Sequence, residues 1–413
     1  MPDARKNERL LLISIFLFWF SVYTYPSFLT TYAVDVLGAT KVMAGTIVGS
    51  YGLTQMLLRI PLGIISDIVK KRKLFVLLGF GASILASAGL ALVSVAAGKA
   101  AGPGLAWAAL ACRALSGATA ATWVNFSVLY SASYTGEQVS AAMGRIIVPQ
   151  CGSQVVAMLL GAQLAGRLGE RYAFLLATAV GIIGLLVMTR VPEQKPAGVP
   201  MTVRAFLNVA RDRELITGTA LATLYQLVVW ATVQGFVQNW AREVVGFTTA
   251  QLGYLSVANL LPNTLLSRFS GGVLARRFGR TAVLAAGFGC LAVACVLYPL
   301  TATLPALIAV QALFGSGVGL IMPITMASAI QNIPNEKRGA AMGIYQAVYG
   351  VGMFLGPVIA GWVIERFSAT GASGEILAVP GYIANFRVAA VIAALGGIAA
   401  VLLTKNARKA QKG

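Results

Sequence analysis

Long runs of apolar residues recur from one end of the chain to the other. Two of them are "LLLISIFLFWFSVYTYPSFLTTY", residues 10–32, and "YIANFRVAAVIAALGGIAAVLLT", residues 382–404. Each is close to the roughly 20 residues that a helix needs to cross about 30 Å of hydrocarbon. The runs are continuously apolar and lack the alternation of membrane strands. The pattern predicts an all-α membrane protein with about twelve transmembrane helices.

The composition supports the prediction of a membrane protein. Of the 413 residues, 58% are hydrophobic and 11% are charged, whereas soluble domains carry about 25% charged residues. The basic N-terminus precedes an apolar run that is too long for a cleaved signal and has no small-residue cleavage site, so this run is predicted to be the first membrane helix.

The net charge of +19 would suggest a nucleic-acid partner if the charge were spread evenly. With the N-terminus inside, 21 lysines and arginines fall in the segments on the inner side and seven in the segments opposite. This bias is the positive-inside pattern. It predicts a multi-pass protein of the cytoplasmic (inner) membrane, with both termini in the cytoplasm, the lipid bilayer as its surroundings and no nucleic acid as partner.

The residues that most catalytic and metal sites require are missing from the sequence. The chain has no histidine, no P-loop and no CxxC pair, and its four cysteines lie inside apolar runs. Cysteines in that setting are typical of small packing residues. We therefore expect no cofactor, no metal and no enzymatic activity.

A polar segment divides the apolar runs about six and six. This segment, residues 190–215, is rich in proline and charge. It predicts an N-terminal six-helix bundle over residues 1–190, a cytoplasmic linker over residues 191–213 and a C-terminal six-helix bundle over residues 214–413. No larger repeat number is visible, so a monomer is expected in place of a channel with a shared pore.

Two internal matches indicate that the halves are repeats in the same direction. "EQVSAAMG", residues 137–144, matches "EKRGAAMG", residues 336–343, and "RIPLGIISDIVKKRK", residues 59–73, matches "RFSGGVLARRFGRTA", residues 268–282. The second match places Arg59 on Arg268 and Gly63 on Gly272. A duplicated half in parallel orientation is one of the repeat patterns of secondary transporters.

These features together resemble the major facilitator superfamily over essentially the whole chain. The loop signature of that family, G-x-x-x-D-(R/K)-x-G-R-(R/K), is similar to "GIISDIVKKR", residues 63–72, with Ile68 and Lys70 departing from it. The second copy keeps Gly272 and Arg280 but has Arg276 in place of the acid. "RALSG", residues 113–117, resembles the R-x-x-q-G motif of the fourth helix.

The resemblance implies a latch in the loop after the second helix of each half. Asp67 lies at the C-terminal end of its helix, which disfavours an anion, so it needs a basic partner or the N-terminus of another helix such as the one that begins near Gly339. Such a contact can exist in only one of two arrangements of the halves. The latch residues predicted in this way are Gly63, Asp67, Lys71, Arg72, Gly272 and Arg280.

Four arginines lie within apolar runs, and ionisable groups at that depth indicate function. Arg145 is close enough to the end of its helix to reach the interface, whereas Arg113 lies near mid-membrane. Arg59 and Arg268 occupy equivalent places in the two repeats. They are predicted to clamp an anion between the bundles. The alternative is that they are packing or network residues.

The acids favour the anion hypothesis. All thirteen lie near helix ends or in loops, so the buried arginines have no obvious carboxylate partner, and an unpaired buried cation is costly. Their positive charge must be compensated by an anionic substrate, or by backbone carbonyls and water. An exporter of cationic drugs would need a buried carboxylate. A proton relay would have to use edge groups such as Asp35 or Glu365.

Neutral polar residues at helical spacing predict the rest of a cavity, although such stripes also join helices to one another. With the arginines, the predicted substrate-binding residues are Arg59, Arg113, Arg268, Tyr23, Gln226, Trp230, Asn263, Tyr345 and Gln346.

Two functional hypotheses remain open from the sequence. The first is a secondary transporter that moves a small, anionic solute, a carboxylate or an oxyanion, by rocking of the two bundles, coupled to protons or to a counter-substrate. The second is an efflux carrier of the same family for an amphipathic drug or metabolite. The signature of drug/proton exporters is missing from the fifth span, and those of nitrate porters and oxalate/formate antiporters are missing as well, so the subfamily stays open.

Overall fold

The computed structural model describes residues 2–100, 102–131, 134, 138–193, 209–334, 337–370 and 376–410. Most of the predicted linker, residues 194–208, and the side chain of Asp67 lie outside this description.

The first half of the described chain consists of helices. They are α1 (Pro2–Tyr23), α2 (Leu29–Asp35), α3 (Lys41–Val69), α4 (Arg72–Ala97), α5 (Pro103–Ala121), α6 (Trp123–Ser131), α7 (Gln138–Leu168) and α8 (Glu170–Thr189).

The second half adds two π-helical segments and one small hairpin to the same plan. Its elements are α9 (Arg213–Ala231), a π-helix (Thr232–Phe236), α10 (Val237–Glu243), α11 (Thr249–Phe269), a second π-helix (Ser270–Leu274), α12 (Ala275–Phe278), α13 (Arg280–Leu297), a 3₁₀ turn (Tyr298–Leu300), α14 (Leu304–Ser328), α15 (Arg338–Phe367), β1 (Ala369–Thr370), β2 (Ile376–Leu377) and α16 (Val379–Ala410). The two strands pair antiparallel. The predicted all-α membrane fold is confirmed.

Among the described residues, eight helical segments are long and apolar enough to cross a membrane. They are Arg72–Ala97, Arg145–Leu168, Glu170–Thr189, Arg213–Glu243, Arg280–Leu300, Leu304–Ser328, Arg338–Phe367 and Val379–Leu403. The prediction of twelve spans is not confirmed by this measure and stays a prediction. Three long helices outside this set, α3, α5 and α11, carry the arginines at positions 59, 113 and 268.

The end of α3 explains a departure from the family loop signature. Lys70 follows the last helical residue with φ at 56°, in the left-handed region. Glycine is the usual residue at this position after a helix because it has no Cβ to clash. The lysine therefore takes the backbone conformation for which the family signature supplies a glycine.

Each half packs around its own aromatic core. In the first half the ring of Phe18 meets those of Phe80 and Phe126, with centroids 5.2 and 5.3 Å apart. In the second half Tyr298 and Trp240 pack on Phe386 at 5.1 and 5.8 Å. Each of these ring contacts lies within one half of the chain.

In the described part of the chain, the most extensive helix contacts between the halves are those of α3 with α15 and of α7 with α11. A Cβ on Gly45 of α3 would lie 2.0 Å from the carbonyl oxygen of Pro357, and one on Gly253 of α11 would lie 2.8 Å from the Cβ of Ala162. A Cβ on Gly361, near the end of α15, would meet Lys41 at the start of α3. We call the face where α3 begins the distal face, because it lies opposite the start of α1.

Close approach of backbones also holds each half together, and this yields a prediction on stability. A Cβ on Gly161 of α7 would lie 1.7 Å from the carbonyl oxygen of Thr24, whereas one on Gly81 of α4 meets nothing within 4 Å. We expect Gly161→Ala to cost about 1–3 kcal/mol through overpacking, measured as a lower midpoint of thermal unfolding. Gly81→Ala is the matched control and should keep or raise the midpoint. Equal midpoints for the two variants would contradict the packing.

Candidate functional site

One face of α3 carries three polar side chains at intervals of four residues, Tyr51, Gln55 and Arg59. Residues at this spacing lie on the same side of a helix. Next to them, Gly52 and Met56 of α3 pack against α15, while the backbone of Tyr51 packs against Gly117 of α5. The polar strip therefore lies between the contact with α5 and the contact with α15, where the two halves meet.

Arg59 is deeply buried and poorly paired. The residue is 4% exposed, and its Nε and Nη1 donate to no described residue. Tyr349 on α15 lies near the guanidinium. Within the described ranges no carboxylate forms an ion pair with Arg59. Since arginine does not lose its proton in proteins, a full positive charge remains at this position.

Arg113 on α5 is also buried, but aromatic rings compensate it. It is 3% exposed, and its Nη1 donates to the hydroxyl of Ser116 at 3.3 Å. Its Cζ lies 4.4 Å from the ring centroid of Tyr51 and 5.6 Å from that of Tyr25. The faces of aromatic rings attract cations. Arg113 thus holds the ring of Tyr51 in place and adds positive potential beside Arg59.

Tyr51 connects the two halves of the protein. Its ring stacks on that of Trp230 in α9, with centroids 5.7 Å apart and planes at 18°. A continuous stack therefore runs from Arg113 through Tyr51 to Trp230. The π-helix Thr232–Phe236 begins two residues after Trp230, and π-bulges in helices are frequent at functional sites.

Tyr23 completes the group from the end of α1. It is half-buried and lies near Tyr51. We call the whole group the arginine cluster. Its members are Arg59, Arg113, Tyr23, Tyr51, Gln55, Tyr349 and Trp230. Four of them were predicted as substrate-binding residues, while Tyr51 and Gln55 were missed although their spacing from Arg59 would have indicated them.

Arg268 does not join this cluster in the structure. It lies near the end of α11, is exposed, and makes no hydrogen bond or ion pair with the part of the chain that the structure describes. The two repeats therefore place equivalent arginines in different surroundings. The predicted clamp between Arg59 and Arg268 stays a prediction.

The other predicted substrate-binding residues differ in their surroundings. Gln226 and Gln346 are half-buried. The hydroxyl of Tyr345 shares a hydrogen bond of 2.9 Å with that of Thr325 on α14. The side-chain oxygen of Asn263 accepts from Ser267 at 3.3 Å, and its backbone lies against Gly319. Tyr345 and Asn263 thus pack within the second half.

Three of the predicted latch residues lie at the first loop. Gly63 has open space beside it, Lys71 is exposed between α3 and α4, and Arg72 begins α4 with 9% exposure. Asp67 lies within α3 two residues before its end. Because its side chain lies outside the described part of the structure, the latch contact remains a prediction.

The two predicted latch residues of the second half have local partners. The carbonyl oxygen of Gly272, in the second π-helix, accepts from Nε of Arg276 at 3.0 Å. Nη1 of Arg280 donates to the side-chain oxygen of Gln331. Arg145, expected to reach the interface, has a side chain that is 57% exposed and pairs with Glu8 at 3.1 Å.

A network of charges at the distal face ties the two halves together and was not predicted. Nζ of Lys41 pairs with Glu243 and donates to the hydroxyl of Tyr382 at 2.8 Å. Arg242 pairs with Asp35. Each of these ion pairs joins a residue of the first half to one of the second. We call this group the distal network.

The carboxylate of Glu365 adds a fourth cross-half contact at the same face. It accepts the backbone N–H of Val42, at the first turn of α3, at 2.8 Å. Carboxylates are favourable at helix N-termini, where N–H groups have no partner within the helix. In the described part of the chain, the ion pairs between the halves all lie at the distal face.

A third internal match would have indicated the distal network. "AVDVLGATKVMAG", residues 33–45, matches "AREVVGFTTAQLG", residues 241–253, with Asp35 on Glu243 and Gly45 on Gly253. Both segments turn at a glycine with positive φ, Gly38 at 64° and Gly246 at 83°. The two acids thus occupy equivalent places, and each pairs with a base from the other half.

Comparison with known proteins agrees with this architecture. The family model described as "Major Facilitator Superfamily" matches residues 11–241 and again residues 219–413. The inner membrane transport protein YajR of Escherichia coli (strain K12) is 23% identical over 381 residues, 87% of this chain and 80% of that protein. The multidrug transporter protein MdtP of Bacillus subtilis (strain 168) is 24% identical over 208 residues, 46% of this chain and 37% of that protein.

Solved structures show the same fold at lower identity. The nucleoside transporter NupG superimposes with a TM-score of 0.75 at 14% identity, covering 97% of this chain and 99% of that one. An inward-facing bacterial homolog of the human lysosomal transporter Spinster gives 0.73 at 15% identity, covering 98% and 97%. Since the family model matches nearly the whole sequence, the chain belongs to the Major Facilitator Superfamily and is a multi-pass membrane transporter.

Proposed function

We propose that this transporter is a secondary carrier that moves a small anion, a carboxylate or an oxyanion, by alternating access. The observation that carries the proposal is Arg59, a buried cation whose Nε and Nη1 have no described partner. An unpaired buried charge costs several kcal/mol. A substrate anion between the halves removes this cost when it binds, and hydrogen bonds to a charged group are the stronger ones.

Arg113 has a supporting role in the proposed site. Its contacts with the rings of Tyr51 and Tyr25 compensate its charge without a carboxylate. Its positive potential still favours an anion at the neighbouring Arg59. In this assignment Arg59 binds the anion and Arg113 positions Tyr51.

The distal network supports an alternating mechanism. Its ion pairs, Lys41 with Glu243 and Arg242 with Asp35, hold the halves together at the distal face. With those contacts made, access to the arginine cluster is from the face where α1 begins. From the bias of lysine and arginine we assign this face to the cytoplasm, with both termini there. Transport then requires the distal contacts to break as the two bundles, residues 1–190 and 214–413, rock about the site.

The energy source proposed for this transport is an ion or substrate gradient. In the described part of the arginine cluster there is no carboxylate, so the cluster itself has no group suited to exchange protons near neutral pH. Exchange of the anion for a counter-substrate fits this composition. Proton symport would use distal acids such as Asp35 and Glu365, which bridge the halves. We propose that the carrier works as a monomer.

A second candidate function is efflux of an amphipathic drug or metabolite. The aromatic residues in and near the cluster favour it, since the ring centroids of Trp19 and Tyr23 are 5.6 Å apart and those of Trp230 and Tyr51 are 5.7 Å apart. The relative MdtP is named a multidrug transporter. The two candidates differ in whether the substrate must be negatively charged.

Substitution of Arg59 tests the anion proposal. Purified protein in proteoliposomes is assayed with a panel of small carboxylates, oxyanions, neutral solutes and lipophilic cations. We expect only anions to be taken up and to raise the unfolding temperature. Arg59→Gln should weaken the apparent affinity about 10- to 100-fold, because a hydrogen bond to a charged group is worth about 1.5–3 kcal/mol.

Arg268→Gln is the matched comparison for that experiment. The residue is the repeat equivalent of Arg59 but is exposed, so a loss of less than about threefold is expected, well under 1 kcal/mol. A loss as large as that of Arg59→Gln would instead favour the symmetric clamp. Uptake of neutral solutes or cations that survives in both variants would contradict the anion proposal and favour efflux.

Removal of one distal ion pair tests the mechanism. In a cysteine-free background, Gln238→Cys places a thiol at a position on α10 that is 2% exposed. Glu243→Gln should raise its labelling by an impermeant maleimide from the distal face about tenfold, the equivalent of about 1.4 kcal/mol toward the distally open state. The charge swap Lys41→Glu with Glu243→Lys is the control and should restore slow labelling. Unchanged labelling in Glu243→Gln would show that this pair does not hold the distal face closed.

A further inference from the structure

Gln55 is a buried polar side chain one turn from Arg59 on α3, and its carboxamide oxygen has no partner among the described residues. It is 7% exposed, its carboxamide forms no hydrogen bond with the described residues, and its Oε1 is fully buried. Most buried polar groups in proteins have a partner, and one left without a partner is costly. A group of this kind beside a binding site is suited to a ligand.

The position of Gln55 relates it directly to Arg59. The two residues are one turn apart on the same face of α3, about 6 Å along the helix axis at 1.5 Å per residue. One turn further lies Tyr51, whose ring is already in contact with Arg113 and Trp230. A ligand whose anionic group binds Arg59 and whose chain runs along α3 therefore meets the carboxamide of Gln55 and then the aromatic stack.

The surroundings determine which chemical group suits Gln55. An ammonium group on the ligand would be repelled by the two buried arginines. A second carboxylate would face the buried carbonyl oxygen of Gln55, and an alkyl chain would leave the carboxamide unpaired. A hydroxyl both donates and accepts, so it can pair with either end of the carboxamide.

We propose that the transported anion is a hydroxy acid, whose hydroxyl binds Gln55 while its carboxylate binds Arg59. This inference rests on the proposed function, since it presupposes an anion on Arg59. The rise of about 6 Å along the helix axis between Gln55 and Arg59 sets the scale for the ligand. It corresponds to about five bonds, because three backbone bonds span 3.3–3.6 Å when extended. The hydroxyl is thus expected at the far end of a chain of four or five carbons.

The test compares acids that differ only in the hydroxyl. Pentanoate is compared with 5-hydroxypentanoate, and butanoate with 4-hydroxybutanoate, by competition for uptake and by thermal stabilisation of the purified full chain. The wild type should prefer the hydroxy acid by about tenfold or more, since a site that binds a hydroxyl leaves a buried group unpaired when it is missing. Gln55→Leu should abolish the preference while the affinity for the plain acid stays within about twofold, under 0.5 kcal/mol.

Two controls make the result specific. Thr54→Val changes the neighbouring residue, whose hydroxyl bonds to the Ser50 carbonyl within α3, and should keep the preference for the hydroxy acid. The unfolding temperature without ligand shows whether Gln55→Leu is folded. If it is not, Gln55→Met, which preserves the length of the side chain, replaces it in the test. A preference that persists in Gln55→Leu or Gln55→Met would overturn the assignment to Gln55.

The outcome also separates this inference from the proposed function. If the wild type binds the plain and the hydroxylated acids equally, the hydroxy acid inference is wrong and the anion carrier stands. If other small anions bind but neither the plain nor the hydroxylated acids do, the hydroxy acid inference is wrong and the anion carrier again stands. If no anion of the panel binds, the proposed function itself fails.

Discussion

Arg59 carries a full positive charge into the space between the two halves, with the Tyr349 hydroxyl beside it and no carboxylate from the described chain. A buried charge of this kind is stable only if the surroundings supply polar groups or a counter-ion. A membrane helix that carries polar and charged side chains must turn them away from lipid. Tyr51, Gln55 and Arg59 accordingly form one strip on α3. The two helix bundles meet around this strip.

Much of the fold was predictable because it follows from local pattern. Runs of apolar residues, the charged segment near residues 190–215 and the internal matches led to an all-α membrane protein built from two parallel repeats. The site was predictable only in part. Arg59, Arg113, Tyr23 and Trp230 were singled out because charge and aromatic character are visible along the chain. The stack of Arg113 on Tyr51 and of Tyr51 on Trp230 was not, since it depends on how three separate helices cross.

Symmetry in the sequence predicts equivalent roles for Arg59 and Arg268, and this stays a prediction. Arg59 and Arg268 are equivalent in the repeats, yet one is 4% exposed and the other is exposed. The helix pairing itself keeps the repeat symmetry, because α3 packs on α15 while α11 packs on α7, and the internal matches relate α3 to α11 and α7 to α15. At the distal face the repeat symmetry is kept, where Asp35 and Glu243 each pair with a base from the other half. Symmetric ion pairs therefore join the halves at the distal face, while the buried arginines of the described chain, Arg59, Arg72 and Arg113, all belong to the first half.

The most direct test of this account is to locate a bound anion. A structure of the purified protein would be determined with a bromine-labelled short carboxylate that binds it, using the anomalous signal of bromine to place the ligand. The account predicts one bound molecule with its carboxylate within hydrogen-bonding distance of Nε or Nη1 of Arg59. A structure at saturating ligand concentration in which the ligand's carboxylate is bound elsewhere, and Arg59 is still unpaired, would contradict it.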